Sequence, residues 1–266
     1  PNATVTYNIN GGSNQTVVLD AAGTATLTGT YLANTTVNIV SVASAGTPSC
    51  VNPQLSSITL TVLPLPTASV SITPTTVCSG DSATFTFTGT PNATVTYNIN
   101  GGANQTIVLS GAGTATLTGT YTTNTTVNIV SVASSGTPSC VNPQTSSVTL
   151  TIQPLPTVIV AVSPTTICAN SSATFTFTGT PNATVTYNIN GGANQTVTLN
   201  AGGTATITGT YTANTTINIV SVASSGTPSC VNPQTSSITL TVLPLPTASV
   251  AVSPTTICAN DSATFT

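Results

Sequence analysis

The stretch "SATFTFTGTPNATVTYNING", residues 82–101, decides the fold class. Apolar residues alternate with more polar ones, mostly Thr, over residues 82–90 and again over residues 93–99. A period of two places every second side chain on the same face of a β-strand, so this pattern predicts two strands with one apolar face each. Asn100-Gly101 then supplies two residues that tolerate positive φ, which predicts a tight hairpin turn.

The residues around this stretch extend the pattern to seven strands. Turn signals rich in Gly, Pro, Asn and Ser recur about every 8 to 12 residues. Within residues 125–134 the apolar phase slips between Ile129 and Val130, which predicts a β-bulge. In the letters used for immunoglobulin domains, the predicted strands are A (67–72), B (82–90), C (93–99), C′ (104–110), E (114–120), F (125–134) and G (146–152). This pattern predicts an all-β, immunoglobulin-like β-sandwich.

The whole pattern repeats with a period of 90 residues, and "PLP" at 64–66 and 154–156 reads as a stiff linker between repeats. The predicted domains are a partial repeat with strands C to G (1–66), two complete repeats (67–156 and 157–246) and the start of a further repeat with strands A and B (247–266). We expect the sequence to be a window cut from a longer tandem array. The alternative is that the tail of one copy completes the head of the next.

The composition excludes several classes of function. The chain has no Lys, Arg, His or Glu, and its three carboxylates are Asp20, Asp81 and Asp261. A chain without cations cannot neutralise phosphates, so we expect no binding to nucleic acid or to an anionic membrane surface. General acid–base and nucleophilic catalysis need groups that are missing, so we expect no enzymatic activity and no cofactor or metal. No apolar run is long enough for a transmembrane helix, so we expect no membrane insertion.

The six cysteines recur twice per period, which points to disulfides in an oxidising compartment: Cys50, Cys78, Cys140, Cys168, Cys230 and Cys258. Two pairings stay open. In the first, Cys78 before the A–B turn joins Cys230 in the F–G loop of the next domain, and the other four need partners in neighbouring repeats. This pairing is favoured because the A–B and F–G ends lie at opposite ends of one sandwich. In the second, bonds stay within domains as Cys78–Cys140 and Cys168–Cys230, and Cys50 and Cys258 bond to neighbouring repeats or copies.

Asn-x-Thr and Asn-x-Ser triplets are candidate sites for covalent glycans. They lie at Asn2, Asn14, Asn34, Asn92, Asn104, Asn124, Asn170, Asn182, Asn194, Asn214 and Asn260. Asn is also common in turns, so the triplets alone do not require modification. Only 1% of the residues are charged, and free sheet edges normally carry charges that prevent aggregation. We therefore expect glycans or neighbouring chains to cover these edges.

The segment "TPTTVCSGDSATFTFTGTPNATVTYNINGG", followed by a single Cys in the F–G loop, resembles the tandem Ig-like repeats of very large surface proteins and adhesins of gliding bacteria. Proteins of that family typically leave the cell by a type IX secretion route. The resemblance covers every repeat, but its motifs concern the fold and carry no catalytic residue. It implies a secreted, surface-attached stalk or fibre.

Together these features predict a structural protein. The expected function is that of an extracellular, surface-attached filament built from disulfide-linked Ig-like domains. Its partners would be copies of itself, or adjoining repeats of a longer chain. The alternative is the passive stalk of a large adhesin whose binding domain lies outside this segment. Aromatic residues make up only 4% of the chain, which argues against a ligand groove within it.

Overall fold

The computed structural model describes residues 1–266 and contains strands but no helix. In residues 1–66 the strands are Thr4–Ile9 (β1), Gln15–Val18 (β2), Thr35–Ala43 (β3), Val51–Pro53 (β4) and Ser57–Leu60 (β5). In residues 67–156 they are Ala68–Ile72 (β6), Thr76–Cys78 (β7), Ser82–Gly89 (β8), Thr94–Ile99 (β9), Gln105–Val108 (β10), Thr114–Thr120 (β11), Thr125–Ala133 (β12), Val141–Pro143 (β13) and Ser147–Gln153 (β14). In residues 157–246 they are Val158–Ser163 (β15), Thr166–Cys168 (β16), Ser171–Gly179 (β17), Thr184–Ile189 (β18), Gln195–Thr198 (β19), Thr204–Tyr211 (β20), Thr215–Ala223 (β21), Val231–Pro233 (β22) and Ser237–Leu243 (β23). The last strands are Val252–Ser253 (β24) and Thr264–Phe265 (β25).

The third repeat forms a β-sandwich of two sheets, which confirms the predicted immunoglobulin-like fold. One sheet has the strand order β15-β17-β20, and the other has the order β16-β23-β21-β18-β19, with β22 pairing β21. After strand A (β15) the chain crosses to the other sheet, where the short strand β16 runs parallel to β23. We call this short strand A′. The second repeat has the same strand orders, with β7 as its A′ strand.

The alternation predicted for strands B and C matches the core of the sandwich. Phe175 and Phe177 on strand B are fully buried, and so are Val185 on strand C and Leu240 on strand G. The Phe175 ring meets the edge of Tyr211, with centroids 5.8 Å apart and planes at 78°. Thr residues occupy the other face of strand B, where they pair with Thr of strand E. The phenylalanines of strand B are the largest fully buried side chains of each core.

The hairpin turn and the bulge are also confirmed. Asn100 and Gly101 have φ of 51° and 72°, and the Gly102 amide donates to the Ile99 carbonyl at 2.9 Å. Both central residues therefore lie in the left-handed region, as a type I′ turn requires. In the third repeat, Thr186 pairs with Ser221 and Tyr187 with Ile219, so Val220 is an extra residue in strand F. The first repeat has the same irregularity, which corresponds to the phase slip at Val130.

Two strands per repeat were missed by the prediction. The A′ strands β7 and β16 and the strands β4, β13 and β22 after strand F are each three residues long. Three residues are too few to show an alternation, so their sequences read as loop. The segments thought to be the A–B turn and the F–G loop therefore hold cysteines on or beside paired strands.

Contacts divide the chain into two compact units. The first comprises Pro1–Val70, Phe87–Ala115 and Asn128–Ser147, and the second comprises Ser71–Thr86, Thr116–Val127 and Val148–Thr266. The third repeat thus lies wholly within the second unit. Residues 1–66 lack strands A and B, and residues 24–30, which correspond to strand E in the complete repeats, are not paired there. Strand E is present only where strand B is available as its partner.

Candidate interdomain junction

The A′ strand places Cys78 at the end of the second repeat. Cys78 pairs with Gln153 in the parallel ladder between β7 and β14, and the next amide, of Ser79, donates to the Gln153 carbonyl at 2.8 Å. This ladder fixes Cys78 beside the last residue of strand G, where the linker to the third repeat begins. The Cys78 side chain is buried.

A hydrogen-bonded loop between β21 and β22 presents Cys230. The Cys230 amide donates to the Ser224 hydroxyl at 2.9 Å, and the Ser224 amide donates to the Cys230 carbonyl at 2.9 Å. The Ser229 hydroxyl also donates to the Ser224 carbonyl at 2.8 Å. Three bonds across so short a loop hold its backbone in one conformation, and Cys230 is fully buried.

Cys78 and Cys230 form a disulfide, with their Cα atoms 5.5 Å apart. Both residues belong to the second compact unit. Of the two pairings that the sequence left open, the structure contains the one between repeats. The alternative bonds Cys78–Cys140 and Cys168–Cys230 are not formed, since Cys140 and Cys168 are free thiols. Cys50, Cys140, Cys168 and Cys258 are free thiols.

Gln153 adds noncovalent contacts to the junction. Its side-chain amide nitrogen donates to the Thr227 carbonyl at 3.5 Å, and its side-chain oxygen lies 3.6 Å from the Cys230 sulfur. At Gly226 a Cβ would lie 3.1 Å from the Gln153 amide, so any side chain there would crowd this contact. Nothing in the predicted strand pattern singled out Gln153. The available signal was that the equivalent residues in the other repeats are Leu63 and Leu243.

The linker is docked on the repeat that follows it. Pro156 is buried, and its carbonyl accepts a hydrogen bond from the Asn232 side chain at 2.9 Å. Thr157 donates through its amide to the Thr180 hydroxyl at 3.0 Å, and its carbonyl accepts from the Thr180 amide at 2.9 Å. Within the first unit, Asn142 donates to the Pro66 carbonyl at 2.9 Å in the same way. The linker is therefore fixed by hydrogen bonds in addition to its proline content.

The free cysteines lie at positions equivalent to the two bonded ones. Cys168 ends the A′ strand β16 and pairs with Leu243 of strand G, as Cys78 pairs with Gln153. Cys140 lies in the second repeat at the end of the loop that is equivalent to the Cys230 loop. It lines a small groove together with Leu63 and Pro138. Cys168 therefore occupies the position equivalent to Cys78, and Cys140 the position equivalent to Cys230.

Every candidate glycan acceptor is exposed. Most of these Asn residues also have a structural role. Positive φ occurs at Asn2, Asn92, Asn170, Asn182 and Asn260. The side-chain oxygens of Asn124 and Asn214 accept hydrogen bonds from strand G amides at 2.7 Å, and that of Asn34 accepts from the Val62 amide, just after β5, at 2.8 Å. Asn14, Asn104 and Asn194 form no side-chain hydrogen bond and immediately precede the edge strands β2, β10 and β19.

The titratable groups are few and dispersed. The pKa of Asp20 is lowered because its carboxylate accepts hydrogen bonds from the Thr24 amide and hydroxyl and from the Ala22 amide. Burial raises the pKa of Tyr187 and of Tyr211. No group of three or more His, Cys, Asp or Glu side chains lies close enough together to hold a metal ion. No helix has the length and hydrophobicity needed to cross a membrane.

No protein-family model matches the chain, and no curated protein matches it either. Among solved structures, a structure of a 1.5-MDa bacterial ice-binding adhesin is 20% identical with a TM-score of 0.43, and covers 90% of this chain and 86% of its own. A marsupial T cell receptor is 12% identical with a TM-score of 0.42, over 70% of this chain and 77% of that one.

The D0-D1 domain of intimin is 19% identical with a TM-score of 0.25, over 66% of this chain and 100% of that one. Identities and TM-scores are low in all three cases, so these similarities carry no argument about function. The fold assignment rests on the strand order of the chain itself.

Proposed function

We propose that the chain is part of an extracellular structural stalk or filament of tandem Ig-like domains, with complete domains at 67–156 and 157–246. The observation that carries this proposal is the Cys78–Cys230 disulfide between the A′ strand of one repeat and the F–G region of the next. A stable bond of this kind requires an oxidising compartment, which supports a location outside the cytoplasm. The more specific proposal is that the protein is secreted by the type IX route of gliding bacteria.

The function would be to carry tension without lengthening. The disulfide joins residues that are 152 positions apart, so the intervening residues cannot extend while the bond is intact. At about 3.5 Å per residue, roughly 530 Å of chain is removed from the path along which force travels. Force would instead pass from strand A′ of one repeat directly into the F–G region of the next.

In an array with this bond at every junction, only short segments would bear load. A covalent path enters a repeat at its F–G cysteine, as at Cys140, and leaves at the next A′ cysteine, as at Cys168. That segment is 28 residues long (168 − 140) and serves two repeats of 90 residues each. Its full extension is about 100 Å, against about 630 Å for two unlinked repeats. Two such paths would run in parallel along the array.

The surface composition supports the same role. A chain with 1% charged residues has no cations to protect its edge strands, such as β19 and β20. Glycans on the exposed sequons, or lateral contact with other chains, would protect these edges in a filament. A passive adhesin stalk would need the same protection. Electron microscopy distinguishes the filament from the passive stalk, because a filament protein forms laterally ordered fibres and a stalk forms isolated threads.

Single-molecule force spectroscopy tests the mechanical proposal. The 266-residue chain would be held at its two termini and stretched, first oxidised and then in the presence of a reductant. We expect the fully stretched oxidised chain to be shorter than the reduced chain by roughly 530 Å. The Cys78→Ser/Cys230→Ser double variant is the control and should have the reduced length under both conditions. Equal lengths for the oxidised and reduced wild-type chain would contradict the proposal.

A further inference from the structure

Strand E is the longest strand at an edge of either sheet in the complete repeats. In the third repeat it is β20 (Thr204–Tyr211), which pairs with strand B on one side and with no strand on the other. Strand E of the second repeat, β11 (Thr114–Thr120), has the same position. Neither strand contains a charged residue or a proline, although these are the residues that usually keep an edge strand from pairing with another chain.

The other three edges of each sandwich are short or already covered. The C′ strands β10 and β19 have four residues, and a candidate glycan acceptor, Asn104 or Asn194, directly precedes each of them. The A′ strands have three residues and lie at the junctions between repeats. Strand A of the second repeat is covered by its own domain, because the Val70 amide donates to the Ser146 hydroxyl at 3.4 Å. Strand E is therefore the edge that is both long and open.

The hydrogen bonds at the two ends of β20 show which of its backbone groups face the free edge. At one end, the Asn170 amide donates to the Tyr211 carbonyl at 2.9 Å. At the other end, the Gly179 amide donates to the Gly203 carbonyl at 2.9 Å. Because backbone groups alternate in direction along an antiparallel strand, every second residue between Gly203 and Tyr211 also faces strand B. The residues that point their amides and carbonyls at the free edge include Thr206, Thr208 and Thr210.

The side chains of strand E are complementary to those of a second, antiparallel strand E. With Thr208 of one copy opposite Thr208 of the other, Ile207 lies opposite Gly209, and Tyr211 lies opposite Ala205. Each bulky side chain thus faces a small residue on the inner side of the sheet. Ile207 and Tyr211 are only partly buried against the core of their own repeat. Pairing of two E strands therefore removes further apolar surface from water.

The backbone groups match in the same register. With Thr208 at the centre, Thr206 lies opposite Thr210, so all three outward-facing threonines meet one another. Directly opposed residues of this kind exchange two N–H···O bonds in an antiparallel pair. Strand E of the second repeat has the same order of residues around Thr118, with Leu117 as its bulky aliphatic residue.

We propose that strand E of a complete repeat pairs antiparallel with strand E of a second copy of the chain. The two-fold axis of the pair passes through Thr208, or through its equivalent Thr118, and the joined sheet has the strand order A-B-E-E-B-A. No charge has to be desolvated, because strand E carries none. This inference rests on the proposed structural role and names the contact through which chains of a filament associate side by side.

The test measures association of the purified, oxidised chain, with its free thiols alkylated so that only noncovalent contacts form. Sedimentation equilibrium should give a mass that rises above 26.2 kDa as the protein concentration increases. Hydrogen exchange at the amides of Thr206, Thr208 and Thr210 should slow at least about tenfold over the same range, because these amides become hydrogen-bonded.

Strand C′ provides an internal control for the exchange measurement. The Leu199 amide donates to the Ala183 carbonyl at 2.8 Å, so Leu199 faces strand C. The amides of Thr196 and Thr198 therefore point to the free edge of the other sheet. Their exchange should not depend on concentration. Protection of these two amides in place of those on strand E would put the contact on strand C′ and overturn the proposal.

A charge at the two-fold centre should prevent pairing. Thr118→Lys/Thr208→Lys places like charges opposite each other, so the concentration of half-association should rise at least about tenfold. The matched control is Thr149→Lys/Thr239→Lys. Thr208 and Thr239 are both exposed, and the hydroxyl of each shares a hydrogen bond with a threonine of a neighbouring strand, at 2.9 and 2.8 Å. Thr239 lies on strand G, between strands F and A′, so the control should associate as the wild type does.

Three further outcomes would overturn the proposal: a 26.2 kDa monomer at every concentration, exchange at the strand E amides that does not depend on concentration, or association that Thr118→Lys/Thr208→Lys does not weaken. The exchange measurement uses the wild-type chain and does not depend on how well a variant folds. The tension-bearing role depends only on the Cys78–Cys230 bond. An oxidised chain that keeps this bond and stays monomeric would therefore contradict the lateral pairing and leave that role unaffected.

Discussion

Cys78 and Cys230 lie 152 positions apart in the sequence, and a disulfide holds their Cα atoms 5.5 Å apart. The bond joins two repeats that each have their own A′ strand and F–G region, so it fixes the junction between them. Chain-entropy arguments assign about 5 kcal/mol to closure of a loop of this length. The linker at residues 154–157 is then the second covalent connection across the same junction.

The first prediction uses this double connection and the absence of tryptic sites. The wild-type chain contains no Lys or Arg, so trypsin should not cleave it even after denaturation and reduction. Pro154→Arg places one site in the exposed part of the linker, before Leu155. After digestion, we expect the two fragments of this variant to remain joined on a non-reducing gel and to separate after reduction.

The control for this experiment is Pro154→Arg combined with Cys78→Ser and Cys230→Ser. Trypsin should separate its fragments without any reductant. Fragments of the Pro154→Arg variant that separate on the non-reducing gel would show that the junction has no disulfide in solution. Cleavage of the wild-type chain would contradict the sequence itself.

The second prediction compares one position of the repeat in two environments. Phe175 is fully buried and Phe265 is 73% exposed, although the two are equivalent in the 90-residue period. Phe175→Ala should lower the free energy of unfolding of the third repeat by about 3–5 kcal/mol, through lost burial and a cavity. Phe265→Ala should change the free energy of unfolding by less than about 0.5 kcal/mol, because the side chain is exposed.

Urea unfolding of the full chain, monitored by intrinsic tyrosine fluorescence, measures both effects. The third repeat is identified as the transition that Phe175→Ala moves. A similar shift for both variants would show that the Phe265 side chain is packed in solution.

Some of the structural features behind these predictions could be predicted from the sequence, and others could not. The alternation over residues 82–90 and the Asn100-Gly101 turn depend on local chemistry, so both were predicted correctly. The A′ strands were missed because a three-residue strand has no period and is defined only by its parallel neighbour. The hydrogen bond between Asn232 and Pro156 was missed for a similar reason, since it joins residues 76 positions apart.

The cysteine pairing could be predicted only in part from the sequence. Strand order placed the A–B and F–G segments at opposite ends of one sandwich, which favoured a bond between repeats. It could not exclude a bond within one repeat, because the A′ strand that positions Cys78 was not recognised. The role of Gln153 was hidden as well, because its partners Thr227 and Cys230 belong to another repeat.

The third prediction concerns acid. Hydrogen bonds from the Thr24 amide and hydroxyl stabilise the charged form of Asp20 and lower its pKa below the usual value of 3.8. A carboxyl whose pKa is lower in the folded state stabilises the fold above the unfolded-state pKa, and this contribution is lost as the pH falls through the folded-state pKa. The turn over residues 20–24 should therefore loosen below about pH 4.

NMR of the Thr24 amide as a function of pH measures this loss. The control is Asp20→Asn, because the third repeat has Asn200 at this position and its side-chain oxygen accepts from the Gly202 and Thr204 amides at 2.8 and 3.0 Å. The variant should keep the turn and lose the pH dependence. An unchanged titration in the variant would mean that another group is responsible.

The last prediction ranks the candidate glycan sites in protein isolated from its natural source. Asn194 is exposed, forms no side-chain hydrogen bond and lies next to the edge strand β19. Asn214 is also exposed, but its side-chain oxygen accepts a hydrogen bond from the Val242 amide at 2.7 Å, which holds the amide group against strand G. A transferase acting on the folded chain needs access to the amide nitrogen, so occupancy should be higher at Asn14, Asn104 and Asn194 than at Asn34, Asn124 and Asn214. Glycopeptide mass spectrometry measures this ratio, and Asn194→Gln provides the control by removing one glycan from the intact mass. Peptide maps in which every Asn-x-Thr and Asn-x-Ser peptide has its unmodified mass would exclude glycans and leave contacts between chains as the protection of the sheet edges.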